Sequence, residues 1–137
     1  MIYAAIELIN GENLVLARRH IIGEEEVKRT PIRMLVDTDS AYMCINENIQ
    51  EQLQLPVIEK RKGQLANGHI VEYDVVGPIE VRFENRRCNV DAVVLPGESE
   101  PLLGTISMED MDVILHPLRQ EMIVNPDHPF IAQMKLK

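Results

Sequence analysis

The sequence has few aromatic residues and few cysteines, and both shortages limit what the protein can be. It contains no Trp, three Tyr and two Phe among 137 residues, so Val, Ile, Leu and Met must supply most of any core. Its two cysteines, Cys44 and Cys88, occur in unrelated contexts with no Cys-x-x-Cys spacing, which argues against a thiolate zinc site. We therefore expect two free thiols in a reducing compartment.

Positive charge is also scarce. The chain carries 14 Lys and Arg against 22 Asp and Glu, a net charge of −8, so nucleic acid and anionic membranes are not expected partners. The short basic clusters Lys60-Arg61-Lys62 and Arg86-Arg87 are predicted to be solvated turns or strand edges. No signal-peptide pattern and no apolar run of membrane-spanning length occurs, and we expect a cytoplasmic protein without a membrane partner.

The length and the hydrophobic content indicate one globular domain. A hydrophobic fraction of 45% is enough for a core, and 137 residues are typical of a single domain. We predict one domain over residues 1–137, with its core at about 27–125 and a C-terminal tail at 126–137.

Short apolar runs separated by turn signals dominate the pattern. Asn10-Gly11 and Asn67-Gly68 are typical of hairpin turns, and Gly77-Pro78 is predicted to interrupt a strand. Helices are predicted only at about 46–53 and near 107–111. Strands are predicted at residues 2–9, 14–22, 27–36, 57–65, 70–73, 79–83, 88–95, 113–115 and 122–124. This pattern favours an all-β domain, either a closed barrel or a sandwich, with one or two short helices.

The most informative stretch is the acidic end of the third predicted strand. Met34-Leu35-Val36 leads directly into Asp37, Thr38, Asp39 and Ser40. A carboxylate at the end of a buried strand is costly unless it is paired or used. The alternative is a polar turn in which Asp and Ser bond to their own backbone.

Four landmarks follow one another in an order that resembles a known family. They are Leu35-Val36-Asp37-Thr38, the Ala66-Asn67-Gly68 turn, Leu102-Leu103-Gly104, and a short helix at Ser107 to Met111. In this order they resemble the retropepsin-like aspartic proteases, with their Asp-Thr-Gly motif, flap hairpin, supporting apolar-apolar-Gly motif and following helix. The stretch from Met111 to Pro129 is similar to the ends of bacterial members.

The resemblance implies a closed acid-protease fold with a flap, and hydrolysis of peptide bonds by an activated water. Two neighbouring carboxylates share one proton, so one acts as base and the other as acid. Only Asp37 has the motif context. An apolar pair before the Asp and Thr or Ser after it are missing at Asp74, Asp91, Asp110, Asp112 and Asp127. The resemblance therefore implies a homodimer in which each copy contributes Asp37.

The remaining site residues take their expected roles from the same resemblance. Thr38 would brace the two loops across the dimer axis. Ala66, Asn67 and Gly68 would form the tip of a flap over a peptide or protein substrate. Leu102, Leu103 and Gly104 would support the catalytic loop, and neither a metal nor a cofactor is expected.

Asp39 is the one departure from the motif, since the family has Gly at this position. Its backbone N–H can still donate to Asp37, but Gly permits close approach and a backbone conformation that a side chain disfavours. Two further carboxylates near the dimer axis would raise the pKa values of the pair and weaken dimerisation. The alternative function is therefore an impaired or inactive member that serves as a dimeric peptide-binding module.

Other interpretations of the acidic residues fit less well. Asp37-Thr38-Asp39-Ser40 also resembles the start of haloacid-dehalogenase-type phosphatases, which need alternating strands and helices. An EF-hand loop would need Gly and Glu where Tyr42 and Asn48 stand. Glu109, Asp110 and Asp112 are predicted to be a solvated helix face, and His116 and His128 to be turn residues. The cleft is expected to be apolar.

Overall fold

A computed structural model describes residues 1–137 and contains nine strands and three short α-helices. The strands are β1 Tyr3–Asn10, β2 Arg29–Val36, β3 Met43–Asn46, β4 Val57–Gln64, β5 Ile70–Phe83, β6 Arg86–Leu95, β7 Leu102–Leu103, β8 Val113–His116 and β9 Glu121–Val124. The helices are α1 Gly11–Arg18, α2 Glu47–Leu53 and α3 Thr105–Met111, with a 3₁₀ turn at Glu24–Glu26. The all-β prediction is confirmed, although there are three helices where one or two were expected. None of these helices has the length and hydrophobicity needed to cross a membrane.

Seven strands form one mixed sheet that closes on itself. The order is β1-β2-β7-β3-β6-β5-β4, and an additional antiparallel pairing of β1 with β5 completes the ring. Strand β4 lies outside this ring and pairs only with β5, so the β4–β5 hairpin projects from the barrel. β8 and β9 form a separate hairpin.

The barrel interior holds the main core. Fully buried side chains from four different strands meet there: Leu8, Met34, Ile45 and Val81. Strand alternation brings them inward, because every second side chain of a strand points to the same face. β1 belongs to this ring, so the closed sheet includes residues before position 27.

The predicted hairpin at Asn10-Gly11 and the predicted strand at 14–22 are both wrong, because the chain forms helix α1 there and no strand follows before β2. The side chain of Asn10 accepts a hydrogen bond from the N–H of Asn13 at 3.1 Å, which is an N-cap and not a hairpin turn. A Cβ at Gly11 would lie 2.9 Å from the carbonyl oxygen of Pro78. Burial of Leu14 against Ile9 then fixes the helix on the outside of the barrel.

Most other predicted elements are confirmed, with one further correction. α2 begins as expected, since Asn46 accepts from the N–H of Ile49 at 2.9 Å. Gly77-Pro78 does not interrupt the sheet: β5 runs from Ile70 to Phe83, with a register shift between Val76 and Ile79. A register shift absorbs the proline because the missing N–H falls where the ladder is irregular.

A buried carboxylate joins α1 to the sheet. The Glu80 side chain is only 1% exposed, although Glu80 alternates in sequence with the apolar residues Ile79 and Val81. Arg82 donates to it at 2.7 Å, Arg87 donates through two nitrogens at 2.9 and 3.1 Å, and Arg18 of α1 lies at 3.5 Å. Three guanidinium groups thus replace the water that Glu80 loses on burial.

Asp112 is also not the solvated residue that its sequence context predicted. Its carboxylate accepts hydrogen bonds from Asn125 at 3.1 Å and from the N–H of Gln133 at 3.0 Å, and it lies 2.7 Å from Nδ1 of His128. The backbone hydrogen bond from Gln133 is the main reason that the pKa of Asp112 falls to about 2. Asp112 therefore holds the C-terminal segment, whose Phe130 remains exposed.

Candidate active site

Asp37 lies at the point where β2 leaves the sheet. Its N–H donates to the carbonyl oxygen of Leu103 at 3.0 Å, which continues the β2–β7 pairing by one residue. The N–H of Asp39 donates to Oδ1 of Asp37 at 2.9 Å. The carboxylate is partly exposed, so it is fixed in direction yet open to a reactant.

Asp39 fits this loop without backbone strain. The φ of Asp39 is not positive, so the loop does not need the backbone conformation that only Gly adopts readily. Thr38 and Asp39 are both exposed to solvent. The loop thus keeps the backbone donor that Gly would supply and adds a solvent-facing carboxylate.

The Leu102-Leu103-Gly104 segment lies directly against this loop. Leu103 is fully buried, and a Cβ at Gly104 would stand 2.5 Å from the carbonyl oxygen of Ala41 and 2.6 Å from that of Tyr42. The first N–H groups of α3 also reach the loop, since Thr105 donates to Ser40 at 2.8 Å. Glycine is required here because no side chain fits between the two backbones.

The β4–β5 hairpin ends in the predicted Asn-Gly turn. Gly68 has φ +87°, and its N–H donates to the carbonyl oxygen of Leu65 at 2.9 Å. The Asn67 side chain accepts from the N–H of His69 at 2.9 Å. Ala66, Asn67 and Gly68 are exposed, so the tip is free of the barrel.

A cleft of about 700 Å³ separates this hairpin from the rest of the protein. One wall is the stretch from Ser40 to Cys44, which begins three residues after Asp37. Residues of β4 and β5 form a second wall, and residues of β6 and α3 complete the lining. Apolar side chains such as Val75 and Ile106 line it, but so do Glu59, Arg61 and Asp91. Hydrophobic residues make up 12 of its 21 lining residues, so the cleft is mainly apolar, as expected, but it also carries charged groups.

Arg61 and Tyr42 connect the two walls. The Arg61 guanidinium lies 5.7 Å from the centre of the Tyr42 ring, and its Nε donates to Glu59 at 2.6 Å. This hydrogen bond to Glu59 is the largest cause that raises the pKa of Arg61 above its ordinary value. Arg61 belongs to the basic cluster Lys60-Arg61-Lys62, predicted to be a solvated turn or strand edge, and no sequence signal indicated that it lines the cleft.

Two tyrosines shape the cleft, and neither was predicted to do so. The Tyr73 ring lies over Gly63 of the paired strand, where a Cβ would be 3.1 Å from the ring. Alternation along β4 places Glu59, Arg61 and Gly63 on one face, and all three line the cleft, although Lys62 of the opposite face also borders it.

Cys44 lines the cleft, and the charge of Asp37 affects its pKa. Burial, and secondly the Asp37 carboxylate, raise the pKa of the Cys44 thiol, which keeps it protonated. Cys44 and Cys88 are both free, as expected. No group of three or more His, Cys, Asp or Glu side chains is arranged to hold a metal ion.

Comparison with known proteins identifies the family. A family model described as aspartyl protease matches residues 23–117, which include the Asp37 loop, the β4–β5 hairpin and Leu102-Leu103-Gly104. A search of curated proteins finds no match. Because the family model covers more than half of the chain, the protein belongs to the aspartyl protease family.

Proposed function

We propose that the protein is a retropepsin-like aspartic endopeptidase that acts as a homodimer. Asp37 from each copy would hold the attacking water, with one carboxylate as base and the other as acid. The observation that carries the proposal is the Asp37 loop itself. Its carboxylate is aimed by the Asp39 N–H at 2.9 Å and its backbone is anchored to Leu103, three residues before the cleft wall begins at Ser40.

The other motif residues support this proposal. Thr38 is exposed beside Asp37, where its hydroxyl could reach a second copy across a two-fold axis. The Ala66-Asn67-Gly68 tip would close over a bound peptide and exclude water. The free thiols of Cys44 and Cys88 support a reducing compartment such as the cytoplasm, and the shared core supports a single domain over residues 1–137.

A peptide-library digestion analysed by mass spectrometry, from acidic to neutral pH, tests this function. We expect cleavage by the wild-type chain and a loss of at least about 100-fold in Asp37→Asn, because a general acid–base group is removed. Glu121→Gln, which changes an exposed carboxylate of the β8–β9 hairpin, is the matched control and should retain full activity. Cleavage that persists unchanged in Asp37→Asn would refute the proposal.

The second candidate function is a dimeric peptide-binding module, and Asp39 is the observation that favours it. Two added carboxylates near the axis would oppose ionisation of the Asp37 pair. Asp39→Gly separates the candidates, because this change removes the charge and keeps the backbone donor. Cleavage only in Asp39→Gly would show that the wild-type chain is silenced by this side chain, whereas peptide binding without cleavage in both would favour the module.

A further inference from the structure

Arg61 is the guanidinium group that β4 directs into the cleft. In the β4–β5 register, Arg61 lies opposite Tyr73, and both residues line the cleft. The neighbouring Lys60 points to the other face, where it binds Asp74 at 2.9 Å. The same strand thus offers one cation to a bound peptide and another to solvent.

The Arg61 guanidinium is held in place but not saturated. Its Nε is occupied by Glu59 at 2.6 Å and its planar group lies near the Tyr42 ring. The two terminal nitrogens have no carboxylate partner in the chain, because Glu59 is its single ion-pair partner. A positioned fork of two N–H donors matches a carboxylate more closely than a neutral amide or an ammonium group.

The surrounding charges restrict where an acidic substrate side chain could bind. Asp91 of β6 lines the cleft, with its carboxylate against Gly77, and Asp37 and Asp39 stand on the loop that leads into the cleft wall at Ser40. These carboxylates repel acidic groups elsewhere along the cleft. Lys62 also borders the cleft, but Arg61 is the cation that Glu59 and Tyr42 orient.

We propose that Arg61 forms a subsite that selects an acidic side chain, Asp or Glu, at one position of the peptide substrate. This inference rests on the proposed peptidase function. Glu59 lines the same cleft and acts as a positioning residue, since its carboxylate accepts from Nε of Arg61 at 2.6 Å. Tyr42 and Tyr73 supply flat walls on either side of the bound carboxylate.

The test compares kcat/KM for matched peptides that carry Glu or Gln at each position around the cleaved bond. For the wild-type chain we expect kcat/KM to be about tenfold higher for the Glu peptide at one position. A charge-assisted hydrogen bond from Arg61 to the Glu carboxylate is strong enough to produce this ratio. Arg61→Gln should abolish this ratio, and Arg61→Lys should restore part of it. Lys60→Gln, on the opposite face of the strand, should leave the ratio unchanged, and a thermal melt checks that each variant is folded.

Two outcomes would overturn the inference and can be told apart from failure of the peptidase function. Cleavage without any Glu preference, or an equal loss for both peptides in Arg61→Gln, contradicts the subsite while the peptidase function stands. If no peptide is cleaved, immobilised Asp37→Asn chain is exposed to the same library. Enrichment of acidic peptides that disappears with Arg61→Gln would support the subsite, and its absence would refute it.

Discussion

At the scale of single residues, the candidate site depends on backbone contacts more than on side chains. Asp37 is held by the N–H of Asp39 and through its own N–H by Leu103. Gly104 then allows the loop carbonyls of Ala41 and Tyr42 to pass within a distance that no Cβ permits. The position of the carboxylate is thus set by packing between two backbone segments.

Gly104→Ala should displace the Asp37 loop. The added Cβ meets two fixed carbonyl oxygens, so we expect a loss of about 1–3 kcal/mol in the free energy of unfolding, as overpacked sites show. Urea denaturation measures this loss, and peptide cleavage should fall with it. At Gly23 the atoms nearest a Cβ belong to the flexible side chain of Glu25, so Gly23→Ala should cost less. Equal stability of the two variants would contradict the packing account.

At the scale of elements, ion pairs on the outside of the barrel attach helix α1 to the sheet. Glu80 brings together Arg18 of α1, Arg82 of β5 and Arg87 of β6 on one face. Burial alone would raise the pKa of Glu80, but hydrogen bonds from Arg87 and Arg82 outweigh it and lower the pKa below its ordinary value. Its contribution to stability is therefore complete above the ordinary pKa and is lost as the pH falls through the lowered one.

Glu80→Gln should remove this acid-dependent contribution. Because a hydrogen bond to a charged group contributes about 1.5–3 kcal/mol, we expect a comparable loss of unfolding free energy near neutral pH. The loss should shrink as the pH falls below 4.5, the unshifted value for a glutamate. Glu7→Gln is the control, since its ion pairs are near 3.9 Å and half-exposed and should contribute less than about 1 kcal/mol. Chemical denaturation across pH would contradict this account if the two variants behaved alike.

Asp112→Asn should release the C-terminal segment without disturbing the backbone. Asp112 has φ +54°, a conformation that Asn tolerates well. The pKa of Asp112 is lowered from 3.8 to about 2. Its charge therefore stabilises the segment fully above pH 3.8, and this stabilisation is lost as the pH falls through about 2. We expect faster hydrogen exchange at the Gln133 amide in Asp112→Asn at neutral pH. Unchanged exchange would show that the segment is held by other contacts, such as that between Asn85 and Pro129.

Sequence predicted the elements that depend on local signals and missed those that depend on contacts with distant residues. Strand alternation and the Asn67-Gly68 turn identified the barrel and the hairpin, because both signals are local. Asn10-Gly11 carried the same local turn signal, yet Leu14 became buried against Ile9 and made a helix more favourable. Arg61 and Glu80 each have one partner two residues away, but Tyr42, Arg18 and the C-terminal partners of Asp112 are distant in sequence, so no local pattern could indicate them.

At the scale of the whole molecule, the proposed chemistry is incomplete in one copy. One copy of the chain contains a single Asp-Thr motif, whereas a shared-proton mechanism needs two close carboxylates. A two-fold dimer would bring both Asp37 loops together, and with them both Thr38 and both Asp39 side chains. The net charge of −8 per copy opposes this association, so we expect dimerisation to strengthen with salt.

Subunit mixing tests the central claim that both copies contribute Asp37. A fixed amount of wild-type chain is equilibrated with an equal amount of Asp37→Asn chain, and the rate of peptide cleavage is measured. If mixed dimers are inactive, the rate should fall to about half, because random pairing leaves half of the original wild-type dimers. An unchanged rate, with mixed dimers verified by native mass spectrometry, would show that one Asp37 is sufficient and would contradict the account.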